Sequence, residues 1–383
     1  MPPLPPPSPE ALAHSERLRH LIRQDIAQQD GWIPFSRFME LALYAPGLGY
    51  YTAGARKFGE AGDFVTAPEI SPLFGRTLAH QVAEIMAHSA PEILELGAGS
   101  GKLAADMLLE LERNDWLPER YSILEVSADL RERQQELLRE RAPHLLARVS
   151  WLDALPARVN GAVVGNEVLD ALPVHLLRWE GGGIKEHGVS CAGENFVWRD
   201  QAMQEDGLLL AAQRIEVPEG YQSEISLSSR GLVKSLCERL HKGVLLFIDY
   251  GFGAGEYYHP QRSRGTLMCH YRHHAHDDPF FLVGLQDITA HVDYSAIYES
   301  AMDAGAHLLG YTSQAHFLVN SGIVRFMQSV APENLRDYLP LSVQLQKLTS
   351  PAEMGELFKV IALGKGLEIP LSGFTRGDLS RLL

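Results

Sequence analysis

Residues 93–102 read Ile93-Leu94-Glu95-Leu96-Gly97-Ala98-Gly99-Ser100-Gly101-Lys102. The opening residues have the character of a short buried strand, and the glycines turn the chain. Leu103, Ala104, Met107, Leu108 and Leu111 then recur at helical spacing. Strand, glycine turn and helix form the unit by which a doubly wound α/β domain brings its backbone against a nucleotide-like ligand.

Three kinds of loop compete for this stretch. A dinucleotide loop needs G-x-G-x-x-G, and Lys102 stands where its third glycine belongs. A phosphate loop needs G-x-x-x-x-G-K-[ST], but Leu96 takes its first glycine position and Leu103 its hydroxyl position. What remains is E-x-G-x-G-x-G, with Glu95, Gly97, Gly99 and Gly101 in place. This pattern resembles the S-adenosylmethionine (SAM) loop of class I methyltransferases. Glycines let backbone approach a ligand closely, and an acid suits a ligand that carries an ammonium and a sulfonium.

The chain has 383 residues, enough for one large α/β core with a smaller appended region. Its hydrophobic content of 45% is that of an ordinary globular protein. No apolar run approaches the roughly 18 residues of a membrane helix. Cys191, Cys237 and Cys269 are scattered, which suits a reducing compartment and gives no zinc spacing. A formal charge of −14 argues against broad nucleic-acid binding and leaves a cationic protein or peptide substrate compatible.

In chain order, Met1 to Pro9 is proline-rich, and no basic n-region with an apolar core follows. Arginines 17, 19 and 23 are interspersed with Glu10, Glu16 and Asp25, unlike a mitochondrial presequence. These features predict a cytoplasmic protein. Helices are expected over Ala11–Gln28 and Ser36–Tyr44. Gly49 to Gly75, rich in glycine, proline and aromatics, reads as an ordered loop that folds over something. A helix over Phe74–His88 leads into the glycine turn.

Tyr121 to Val126 reads as the second strand. Glu125 near its end is placed to accept hydrogen bonds from ribose hydroxyls. Arg131–Ala142 reads as a charged, solvated helix. Asp153 ends a third strand, where it either reaches an adenine amino group or caps a turn. A fourth strand, Gly161–Gly165, delivers Asn166 and Glu167, which either face the reacting group or cap the next segment. His175 to about Ile225 reads as a β-rich insertion beside the active site, and Val244–Gly251 as the fifth parallel strand. The histidine-dense stretch around His270, His273, His274 and His276 lacks strict ligand spacing, so no metal is assigned and a polar substrate-binding or catalytic loop is expected. His307–Tyr311 and Phe358–Leu363 are expected to supply the last, antiparallel strands. The expected division is 1–80 for N-terminal helices and cofactor-covering loop, 81–174 and 226–383 for the core, and 175–225 for the insertion.

Four segments carry a more specific resemblance: Gly62–Ile70 (GDFVTAPEI), Asn166–Val174 (NEVLDALPV), Ile248–Gly251 (IDYG) and Asp287–Asp293 (DITAHVD). Together they resemble the MidA-type methyltransferase family, whose mitochondrial members assist assembly of respiratory complex I. The resemblance covers roughly residues 49–293, and without a mitochondrial presequence the chain resembles a bacterial member of the family. It implies an α/β class I fold with a Rossmann-like seven-stranded sheet and SAM as cofactor. It further implies methylation of a protein arginine, on a complex I subunit in the mitochondrial members. The expected cofactor residues are Thr66, Glu69, Glu95, Gly97, Gly99, Gly101, Glu125, Asp153 and Asn166. Glu167, with Asn166, would orient a cationic nucleophile, and His291 or His276 could accept its proton. A non-catalytic SAM-binding assembly chaperone and a small-molecule O- or N-methyltransferase are the competing readings.

Overall fold

The computed structural model describes residues 5–53, 66–328, 330–331 and 333–383. Phe58, Gly59 and Gly62–Val65 of the expected covering loop lie outside the described residues. The chain divides into two compact units.

One unit comprises the described residues of 65–169, 232–253 and 292–383. Its strands are β1 (Glu92–Leu96), β2 (Arg120–Leu124), β3 (Val149–Leu152), β4 (Val159–Asn166), β5 (Leu240–Phe252), β6 (His307–Ser313) and β7 (Phe358–Lys365). They lie in the order β3-β2-β1-β4-β5-β7-β6. The pairs from β3 through β5 are parallel, and β7 runs antiparallel to both β5 and β6. This is the seven-stranded class I methyltransferase sheet that the motifs imply. Val292–Asp293 adds a short parallel pairing at the end of β5.

The apolar runs of β1, β4 and β5 suit strands covered on both faces. Ile93, Ile123, Ala162, Val164, Leu246 and Ile248 from the sheet share one core with α2 (Pro72–His88) and α3 (Lys102–Arg113), preceded by the short α1 (Ala67–Ile70). Leu78, Val82 and Ile85 of α2, with Met107, Leu108 and Leu111 of α3, are fully buried. Each such side chain contributes about 2 kcal/mol through apolar burial. Strand order reverses between β1 and β4, which makes their carboxyl ends the topological switch point where ligands bind in such sheets. Register brings Leu96 beside both Leu124 and Gly165, so Gly97, Glu125 and Asn166 each come directly after the last residues of the β1 pairings.

One strand expectation is corrected. Only β7 is antiparallel, whereas His307–Ser313 follows the direction of the parallel set. β6 and β7 are consecutive neighbours, and a chain returning on an adjacent strand without crossing the sheet must reverse. Between them lie the helices Gln314–Asn320, Val324–Gln328, Leu335–Thr349 and Met354–Leu357.

The other unit comprises the described residues of 1–64, with 170–231 and 254–291. Helices Pro9–Gln28 and Phe35–Tyr44 bury Leu18, Ile22, Ile26, Phe35 and Phe38 in a cluster with Leu176, Val189 and Phe196. The strands His175–Glu180, Gly183–Ala192, Asn195–Ala202 and Tyr221–Ile225 form an antiparallel sheet, with Ile33–Pro34 on its edge. The β-rich character of 175–225 thus takes the form of a Greek key, in which Tyr221–Ile225 returns beside His175–Glu180 after one helix, Asp206–Ala212.

The histidine-dense stretch is not a loop. Met268–Tyr271 pairs with His274–His276 and with Asp287–Thr289. Arg272 and His273 turn the hairpin at φ 46° and 63°, the left-handed pair that a two-residue type I′ turn requires. These strands pair among themselves, and Cys269, Val283, Ile288 and Ala290 share the cluster of Leu18 and Phe38. Residues 254–291 therefore group with the N-terminal helices, in a division that differs from the one expected in chain order. No helix among the described residues is long and apolar enough to cross a membrane.

Candidate active site

Three elements of the sheet unit meet at the switch point. Gly97, Gly99 and Gly101 all have positive φ, of 59°, 53° and 86°, a region that side chains with a Cβ enter at a cost of about 1–2 kcal/mol. A Cβ on Gly97 would also stand 3.4 Å from the Val168 side chain. The Gly97 N–H donates to the Leu124 carbonyl at 3.0 Å, which fastens the glycine turn to the end of β2. Gly101 is the N-cap of α3.

Two buried acids flank the turn. Glu95 is 1% exposed and accepts the Tyr121 hydroxyl at 2.7 Å. Burial pushes its carboxyl up to about 7, opposed by the Tyr121 hydroxyl and reinforced by the nearby Glu125 charge. Glu125 is buried, and its two oxygens accept the Ser127 N–H at 2.9 Å and the Gln134 amide at 2.9 Å. Burial raises its pKa against the pull of these donors.

The raised Glu95 pKa has a consequence for stability. The folded state holds this proton more tightly than the unfolded chain, so stability falls as pH rises from about 4.5 to about 7 and then levels off. Glu95→Gln, which keeps the oxygen that Tyr121 bonds, is expected to stabilise the ligand-free protein at pH 8. The gain should approach about 3 kcal/mol and vanish near pH 4. Thermal unfolding at the two pH values checks it; equal midpoints at pH 8 would contradict the assignment.

Arg131 and Gln134 of α4 (Ala128–Arg141) brace the strand ends. The Arg131 guanidinium donates to the carbonyls of Glu125 and Leu152 and to the Asp153 carboxylate, at 2.9, 3.1 and 2.8 Å. The Asp153 side chain is 91% exposed. Gln134 is fully buried, although its helix read as solvated. The signal was present: Leu130, Gln134 and Leu138, four residues apart, are the buried stripe of this helix.

At the end of β4 the chain makes a strained turn. Glu167 has φ 52°, uncommon for a non-glycine residue and enriched at functional sites. Its N–H donates to the Ile248 carbonyl at 2.9 Å. Its Oε1 accepts the Asn166 amide at 3.0 Å and the Ala67 N–H of α1 at 3.3 Å. The buried Asp249 holds the residues beyond, its Oδ2 accepting Val168 N–H and Leu169 N–H at 3.1 and 2.9 Å. The Asn166 Oδ1 is buried without a hydrogen-bond partner among the described residues.

Thr66 is the N-cap of α1, and Glu69 follows in its first turn. Glu69 accepts the Ser100 hydroxyl and, at 3.2 Å, the Lys102 ammonium. Lys102 also reaches the Glu69 carbonyl at 3.1 Å. The segment 66–70 is therefore fastened to the glycine turn by Glu69 and to the end of β4 by Ala67.

His276 and His291 belong to the other unit. His276 is buried edge-on to Phe281, its Nδ1 accepts the Asp278 N–H at 3.3 Å, and burial lowers its pKa. The His291 N–H donates to the Thr266 hydroxyl at 3.0 Å. Asp170 and Tyr51 also lie in this unit: the Asp170 carbonyl accepts Ala290 N–H, and the Tyr51 hydroxyl donates to Asp287. Among the described residues no group of three or more His, Cys, Asp or Glu could hold a metal ion.

The residues fit SAM. Left-handed glycines leave a cradle that Cβ atoms would fill, buried carboxylates suit ribose hydroxyls and a cationic ligand, and the Asn166 oxygen awaits a donor. Sheet order and site together define a class I SAM-dependent methyltransferase. Residues 74–312, more than half of the chain, match the family model for S-adenosyl-L-methionine-dependent methyltransferases, and the chain belongs to that family. A Burkholderia thailandensis protein crystallised with S-adenosyl-homocysteine is 50% identical over all of both chains, with a TM-score of 0.95. Among curated relatives, the mitochondrial protein arginine methyltransferase NDUFAF7 of Danio rerio is 29% identical over 94% of this chain and 93% of its own. The Homo sapiens protein of that name is 29% identical over 90% and 82%. The MidA-type resemblance and the SAM assignment are borne out.

Proposed function

We propose that this methyltransferase acts on an arginine side chain of a protein. The observation that carries the reading is Glu167, an acid held in a left-handed conformation at the carboxyl end of β4 by Ala67, Asn166 and Ile248. A carboxylate so held suits a guanidinium, and the curated relatives named above are called protein arginine methyltransferases. By the MidA-type resemblance, the proposed acceptor is similar to a subunit of respiratory complex I.

Glu95, Gly97, Gly99, Gly101, Glu125, Asp153 and Asn166 are proposed to hold the cofactor, with Thr66 and Glu69 beside the glycine turn. SAM supplies a methyl group made electrophilic by its sulfonium. The protein's own residues then have two tasks, to position the acceptor and to remove its proton. Glu167 orients the cationic acceptor, and Asn166 steadies the Glu167 carboxylate. His291 and His276 enter as proton acceptors on residue type alone, since imidazole titrates near neutrality.

The competing readings separate in one experiment. The purified protein is incubated with methyl-labelled SAM and a desalted lysate to which the small-molecule fraction has been returned. Label in acid-precipitable protein is expected. Label confined to small molecules would make the enzyme a metabolite methyltransferase, and SAM binding without any transfer would make it a non-catalytic assembly factor.

A further inference from the structure

The Gln134 side chain is fully buried, and both of its amide N–H groups and its oxygen bond to three neighbouring elements. Its Nε2 donates to the Gly99 carbonyl at 3.0 Å and to Glu125 Oε2 at 2.9 Å. Its Oε1 accepts the Trp151 indole N–H at 2.9 Å. The orientation of the amide follows from chemistry: the indole can only donate, while a carbonyl and a carboxylate call for donors. The two N–H groups and the oxygen are therefore committed, and no other amino acid supplies this set in the same volume. A Cβ on Gly101 would stand 3.1 Å from the Gln134 Cα, so the helix also lies directly against the glycine turn.

We infer that Gln134 is a positioning residue for the cofactor: it fixes the Glu125 carboxylate and the Gly99 peptide together in the arrangement that receives SAM. The inference rests on the cofactor site proposed above. Gln134 does not contact the reacting atoms in this role, so its loss should affect cofactor affinity and leave chemistry at saturating SAM largely intact. Two observations connect it to Glu125 and not merely to helix packing. Glu125 accepts the Ser127 N–H on one oxygen and the Gln134 amide on the other, so removing the amide takes a donor directly from its Oε2. Leu130 and Leu138 on the same stripe are apolar, so a hydrophobic residue at 134 would meet the packing requirement alone.

The test uses Gln134→Leu, Glu125→Ala and the double variant in the full-length protein, with S-adenosyl-homocysteine as the calorimetric probe. Gln134→Leu should raise Kd at least 10-fold, raise KM for SAM in parallel, and change kcat less than about 3-fold. The double variant should bind more tightly than the product of the two single losses by at least 3-fold, because Gln134 acts in part through Glu125. Trp151→Phe, which removes the indole donor orienting the amide and keeps an aromatic ring, should weaken binding about 3-fold and serves if Gln134→Leu does not fold. Wild-type affinity in Gln134→Leu, or fully multiplicative losses, would overturn the inference; with an unfolded Leu variant, unchanged affinity in Trp151→Phe would do so. Wild-type affinity in Glu125→Ala would instead overturn the cofactor assignment on which it rests.

Discussion

Gly97→Val is expected to remove cofactor binding. Valine at φ 59° meets the left-handed penalty in its most severe form, since a β-branched side chain crowds the following carbonyl. Its Cβ would already touch Val168 at van der Waals distance, so its γ-carbons would extend into the space the turn keeps clear. The Kd for S-adenosyl-homocysteine should rise at least 100-fold, about 2.7 kcal/mol. The turn follows the sheet and contributes little to the core, so circular dichroism should still report a folded protein. Tight binding by a folded Gly97→Val protein, measured by calorimetry, would show that the glycine turn is not the cofactor cradle.

Glu167→Gln separates chemistry from binding. The amide oxygen of glutamine can accept from Ala67 N–H and Asn166 as the carboxylate does, so the turn is kept while the charge is lost. Cofactor affinity should stay within about 3-fold of wild type. Turnover should fall by 100-fold or more, about 3 kcal/mol of transition-state stabilisation. The difference in the two effects carries the assignment, because a disturbed fold would lower both. Full activity in this variant would end the proposed role of Glu167.

Much of the proposed cofactor half of this site is legible in the sequence. The E-x-G-x-G-x-G spacing demands a turn that only glycines can make, and Gly97, Gly99 and Gly101 all occupy that conformation. Apolar runs ended by Glu125, Asn166 and Asp249 mark parallel strands whose carboxyl ends meet at the switch point. Other features are obscured for identifiable physical reasons. Gln134 sits among arginines and glutamates, and composition hides a buried residue that only the four-residue spacing of Leu130, Gln134 and Leu138 reveals. The hairpin at 268–276 turns on Arg272 and His273 instead of the Asn-Gly or Gly-Gly that announces such turns, so its histidines read as loop. The helices of 314–357 connect β6 to β7 and carry no chemical motif, and their packing on the sheet is a tertiary matter. The clasp of Glu69 on Ser100 and Lys102 joins residues some thirty positions apart, a pairing that no local pattern encodes.

The identity of the acceptor is tested most directly by mass spectrometry of tryptic peptides after incubation with SAM bearing a 13C-labelled, deuterated methyl group. The measurement compares wild type with Glu167→Gln in the same lysate. The expected result is heavy methyl on an arginine side chain in the wild-type reaction and its loss with Glu167→Gln. Heavy methyl on lysine, on a carboxylate or on metabolites alone, or arginine labelling that survives Glu167→Gln undiminished, would contradict the account.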